Sequence, residues 1–120
     1  MKATLLPCFP AYTWGDKCSA LPVIDEPGLS LKAEAMPPGT SEQPHYHKHA
    51  QQYFHIQRGT AHFRMPEGAV KVQSGETLLI PPGLPHCISN KEDKTLEFLV
   101  LSLPSTANDR IVVTEIPKQP

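Results

Sequence analysis

The stretch "GETLLIPPGLPHCISN" (75–90) sets a short apolar run, Leu78 to Ile80, against the stiff turn "PPGLP", and places His86 directly after it. Proline lacks the N–H that a helix interior or a central strand needs, so a segment punctuated this way reads as short strands around a rigid corner. The rest of the chain has the same character. Fourteen prolines in 120 residues imply short elements joined by stiff turns. With 39% apolar residues there is too much core-forming material for simple disorder. One all-β sandwich or barrel, a single domain over residues 1–120, is the expected solution.

Working outward, "GLSLKAEAM" (28–36) alternates Leu29, Leu31, Ala33 and Ala35 against Ser30, Lys32 and Glu34, the period of a strand with one buried face. "TAHFRM" (60–65) alternates in the same way, with Ala61, Phe63 and Met65 on its apolar side. "TLEFLVLSL" (95–103) is apolar on both sides through its middle, so each face is expected to meet protein, one of them in a subunit contact. "RIVVTEI" (110–116) is rich in β-branched residues and reads as a final strand, either at an edge or exchanged with a partner. Residues 1–27 carry the weakest pattern and are expected to hold short strands closing one end.

"HYHKHAQQYF" (45–54) is ambiguous on its own. Pro44 and Gly59 suit the start and stop of a helix, on which His45 and His49 would share a face. On strands, His45 and His47 share a face instead. Residues 75–90 decide between them. Gly75, Pro81, Gly83, His86 and Asn90 fit the spacing G-x5-P-x-G-x2-H-x3-N, which resembles the second signature of the cupin superfamily. The first signature, G-x5-H-x-H-x4-E-x6-G, lies over Gly39, His45, His47, Gln52 and Gly59, with Gln52 where the glutamate would stand. The resemblance covers residues 39–90 and implies a double-stranded β-helix, a jelly-roll-like barrel. The helical reading is set aside.

Those positions carry chemistry. His45 and His47, two apart on one strand, aim at the same interior point, and His86 joins them from a different hairpin. By resemblance, His45, His47, Gln52 and His86 form a metal site for a divalent transition ion, whether iron, zinc, nickel, manganese or copper. A glutamine amide ligates through its oxygen without charge, so the centre would favour an anionic ligand with two oxygens. Related cupins with three histidines and no acid hold iron for dioxygen chemistry, and cupin phosphomannose isomerases count a glutamine among their zinc ligands. Phe54, Ile56, Phe63 and Met65 are expected to line an apolar substrate pocket. His49, His55 and His62 read as ordinary surface histidines, Cys87 as a small buried residue facing away from the site, and Asn90 as a turn residue. Glu34 is expected to face outward and Glu42 to lie in a loop, leaving no interior carboxylate evident as a general base.

The implied function is a metal-dependent enzyme, dioxygenase-like, acting on a small chelating substrate. A sugar or keto-acid isomerase or lyase and a non-catalytic binding module are the alternatives. The formal net charge of −1, with charges of both signs scattered, argues against nucleic acid or an anionic membrane as partner. The start, "MKATLLPCFPAYTWG", lacks a long apolar run, and three unpatterned cysteines suit a reducing compartment, so a cytoplasmic address is expected. The resemblance also implies a homodimer.

Overall fold

The computed structural model describes residues 1–117. Those residues form eleven strands and no helix: β1 Tyr12–Trp14, β2 Cys18–Glu26, β3 Leu29–Met36, β4 His45–His47, β5 Gln51–Arg58, β6 Thr60–Met65, β7 Gly68–Gln73, β8 Thr77–Ile80, β9 Cys87–Ser89, β10 Leu96–Leu103 and β11 Arg110–Val112. Among the described residues no helix is long and apolar enough to cross a membrane.

Strands from distant parts of the chain are neighbours. The largest sheet runs β1-β2-β3-β10-β5-β8, a second runs β7-β6-β9, and β11 pairs with β4. All pairings are antiparallel. The inner faces of the two larger sheets close on one core, in which Met36, Phe54, Ile56, Leu96 and Phe98 meet Phe63, Val72 and Ile88. Each fully buried aliphatic or aromatic side chain contributes about 1.5–3 kcal/mol relative to exposure.

Turn chemistry follows the sequence. Gly59 has φ +90°, and a Cβ there would lie 3.2 Å from the Thr95 carbonyl oxygen, so glycine alone fits. Gly83, at φ +80°, donates its N–H to the His47 carbonyl at 2.7 Å and thereby ties the Pro-Pro-Gly corner to β4. Asn90 is fully buried, its amide donating to the Met36 and Lys94 carbonyls while its Oδ1 accepts from Glu92 N–H.

Three expectations need correction. β3 is a strand, but its inner face is the polar one: Ser30, Lys32, Glu34 and Met36 stand opposite Ser102, Val100, Phe98 and Leu96 of the buried side of β10. Alternation defines two faces without saying which is inner, and here the barrel's outer face is apolar too. β7 was not anticipated, because its alternation is only two valines long, Val70 and Val72 against Lys71 and Gln73, and Val72 is its one buried residue. The last strand stops at Val112, short of the expected Ile116. The N-terminal segment does hold strands, β1 and β2, which extend the edge of the large sheet.

Candidate metal centre

Two pairings assemble the histidines. His45 and His86 stand directly opposite each other, with His86 N–H donating to the His45 carbonyl at 2.9 Å and His45 N–H to the His86 carbonyl at 3.0 Å. Their rings sit 4.5 Å apart between centroids. His47, two residues along β4, shares the inward face, 5.0 Å from His45 and 6.1 Å from His86. One ligand atom from each of the three falls within 4.8 Å of the others.

Hydrogen bonds at the far side of two rings fix which nitrogen faces inward. The Gln43 carbonyl accepts from His45 Nδ1–H and the Leu84 carbonyl from His86 Nδ1–H, both at 2.9 Å. A carbonyl only accepts, so the proton sits on Nδ1 and Nε2 keeps its lone pair. Burial drives the rings further toward the neutral form. It lowers His45 to about 3, helped by neighbouring His86, Arg110 and His47, and His47 to about 4, helped chiefly by His86. Burial, with Arg110 nearby, lowers His86 as well. Neutral imidazoles with free lone pairs are what a metal requires.

Gln52 opens the inward face of β5. Its Nε2 donates to Ser102 Oγ at 3.1 Å, while its Oε1 is buried without a partner. His47 Nδ1 and His86 Nε2 are likewise buried and unpartnered. A polar atom left this way costs about 1–3 kcal/mol. With one ligand atom each from His45, His47 and His86 close together and Gln52 lining the same cavity as His45 and His47, the donor set suits a divalent ion.

The cavity beside them, about 120 Å³, is lined by His45, His47, Gln52 and Phe54, and by residues that the sequence did not disclose. Glu34 and Glu42 both reach it, which corrects the expectation of no interior carboxylate. Glu42 does lie in a loop, but its Oε1 turns inward to accept from Ile88 N–H at 3.2 Å, 4.0 Å from His45 Nδ1. Burial raises Glu34 to about 7, against the pull of Lys32 and Trp14. Burial also raises Glu42 to about 8, with the like charge of Glu34 adding to it. Lys32 and Arg110 complete the wall. Arg110 is opposite His47 in the β11–β4 register, a relation invisible until the two strands are paired.

Of the residues expected to line a substrate pocket, Phe54 borders this cavity. Ile56, Phe63 and Met65 are packed in the core instead, because the barrel interior beyond Phe54 is filled with side chains. His49 is exposed, His55 pairs with Thr77 Oγ1 at 2.9 Å and His62 with Glu92 at 2.7 Å, all outside the cluster. Cys87 is buried with Sγ against the Glu42 carbonyl, and all three cysteines are free.

A double-stranded β-helix with histidines converging from two hairpins defines a class, and the chain belongs to it. The cupin domain family matches residues 33–102. An uncharacterised protein of Methanocaldococcus jannaschii is 27% identical over 86 residues, 72% of this chain and 69% of that one. Among solved structures, an uncharacterised Klebsiella pneumoniae protein with a double-stranded β-helix domain gives a TM-score of 0.72 at 18% identity, covering 80% of this chain and 84% of that chain. The oxalate decarboxylase of Lactobacillus farciminis gives 0.74 at 19% identity, covering 87% of this chain and 33% of that chain.

Proposed function

We propose that this protein is a metal-dependent enzyme acting on a small organic anion that chelates through two oxygens, by proton-transfer chemistry of the isomerase or lyase kind. The observation that carries this is the convergence of His45, His47 and His86 on a cavity lined by Gln52 and walled by two carboxyl groups, with His47 Nδ1, His86 Nε2 and Gln52 Oε1 buried and unpartnered. When bound, a divalent transition metal supplies Lewis acidity toward the substrate oxygens. The chain's own residues do the rest. Lys32 and Arg110 attract an anion, and Phe54, Phe98 and Val100 keep water from the inner wall. Glu34 and Glu42 stand where one can accept a proton while the other returns it. The same fold in an oxalate decarboxylase is in keeping with a small acid as substrate.

A dioxygenase-like reaction on the same substrate class is the second reading, favoured by the uncharged ligand at position 52. Oxygen separates the two. Protein loaded in turn with iron, manganese, nickel or zinc is assayed on short hydroxy and keto acids, with and without air. Turnover that persists without oxygen supports the proposal; turnover only with oxygen and iron transfers it to the dioxygenase reading. Ligand binding with no turnover under any metal leaves a binding module.

We further propose a single-domain cytoplasmic homodimer. Free thiols at Cys8, Cys18 and Cys87 support the compartment. The dimer is supported by a row on the outer face of the large sheet, where Ile24, Leu31, Leu101, Tyr53 and Leu79 are successive cross-strand partners on five strands.

A further inference from the structure

The cavity beside the histidines is small. Water occupies about 30 Å³ in the liquid, so about 120 Å³ holds only the chelating head of a substrate. A second cavity of about 500 Å³ adjoins it and shares Glu34, Glu42 and Arg110 as walls. That size lies within the range of roughly 300–1,000 Å³ usual for small-molecule sites. Its remaining lining includes Tyr12, Trp14 and Gln43.

The walls of this chamber have a consistent chemistry. Trp14 is half-buried against the core, which fixes its ring. Its Nε1–H is buried beside the Glu34 carboxyl, whose charge it favours, so the ring and not its N–H is what the chamber can use. Tyr12 has Lys32 Nζ 5.8 Å from its ring centroid, which holds the ring in place. Arg110 supplies a planar cation that stacks on aromatic rings. Its backbone is anchored through β4, and its exposed side chain borders both cavities.

We propose that this chamber is a subsite for the body of the substrate, and that the body is an aromatic ring joined to the chelating acid. The inference rests on the histidine cavity being the site of the chelating head. The head enters that cavity, the ring lies against Trp14 and Tyr12, and Arg110 closes over it. A polar substituent on the ring finds Gln43 or Glu34.

The test uses the zinc-loaded full chain and two hydroxy acids with the same head, glycolate and mandelate, of which only mandelate carries a ring. Trp14 is the only tryptophan, so its emission reports the chamber directly, and calorimetry gives the affinities. Mandelate is expected to bind about tenfold tighter than glycolate, the worth of one aromatic contact, and to shift Trp14 emission where glycolate does not. Tyr12→Ala, at an exposed position, and Trp14→Phe should each reduce the preference at least about threefold without weakening glycolate. Equal affinities, a preference that survives both substitutions, or glucuronate binding more tightly than mandelate would overturn the aromatic subsite while leaving the metal reading in place. Failure to retain zinc, iron, nickel or manganese, each tried in turn, would overturn both.

Discussion

Gln52 on β5 and Ser102 on β10 stand directly opposite each other, and the serine hydroxyl accepts the glutamine amide N–H at 3.1 Å. Both are buried, and Ser30 continues the polar row on β3. The contact uses the nitrogen end of the amide, which leaves the oxygen end unpartnered in a side chain that lines the cavity with His45 and His47. Ser102 therefore sets which end of the amide is left free, and with a metal bound that end would be a neutral oxygen donor. Ser102→Ala should weaken zinc binding about tenfold, the usual cost of losing a group that orients a ligand. Gln52→Glu should tighten it by adding a charge. Competition against a chromophoric chelator measures both, and unchanged affinity in the pair would reduce position 52 to packing.

Each of His45, His47 and His86 presents a ligand atom to the same point. Replacing any one by alanine should leave substoichiometric zinc after gel filtration, whereas His62→Ala, on a ring paired with Glu92, should retain the full complement. Elemental analysis of untagged protein reads the result. Equal retention in all four variants would show that the triad does not hold the ion.

The fold and the histidines were legible because both depend on local spacing. Gly75 to Asn90 encode a corner whose φ values and prolines admit few conformations, and His45 and His47 differ by the strand period. The carboxyl groups were hidden for the opposite reason. Glu34 occupies the polar phase of an alternating strand, and which phase faces inward is settled only when pairing with β10 sets Glu34 opposite the buried Phe98. Glu42 lies in a loop without period, and Arg110 reaches the cavity only through the pairing of β11 with β4. Met65 and Phe63 were misplaced because an apolar inward residue reads the same whether it lines a cavity or fills a core.

Asp109 fastens the segment that carries Arg110. Its carboxylate accepts from His49 N–H at 3.0 Å and from Ala50 N–H at 2.9 Å. Burial opposes the charge, but these donors outweigh it and hold the carboxyl below its ordinary range. Asp109→Ala leaves two backbone donors without partners, so stability should fall by about 1–3 kcal/mol. Amide exchange in β4 and β11 should quicken more than in β10. Denaturant titration and hydrogen exchange test this together, and uniform exchange across all three strands would deny Asp109 a local role.

The apolar row on the outer sheet face predicts the oligomeric state. Leu79 is 48% exposed, and Leu31 and Leu101 are half-buried in the isolated chain. Covering such a face in a second copy removes it from water. Leu101→Lys should convert a dimer to a monomer in light scattering while leaving zinc content unchanged, since Leu101 points away from the histidines. A wild-type chain that is monomeric at high concentration would contradict the dimer.

The histidines and the carboxyl groups push the pH dependence of stability in opposite senses. His45 and His47 protonate near 3 and 4 in the folded chain, against about 6.5 when unfolded. As pH falls below about 6.5, the unfolded chain binds protons that the folded cavity refuses, so stability declines toward pH 3. Glu34 and Glu42 ionise near 7 and 8 when folded, against about 4.3 when unfolded. Raising the pH above about 4.3 ionises the unfolded chain first, so stability declines toward pH 8. The metal-free protein should therefore have its highest Tm near pH 5–6, where the two limbs overlap. Glu42→Gln removes one ionisation and should flatten the alkaline limb while leaving the acid limb intact. Zinc favours neutral imidazole and ionised carboxyl, so loading should move the optimum upward. Calorimetric scans of both proteins across this range decide it: a metal-free Tm that keeps rising from pH 6 to 8 would mean that Glu34 and Glu42 ionise freely, and that the cavity does not bury them.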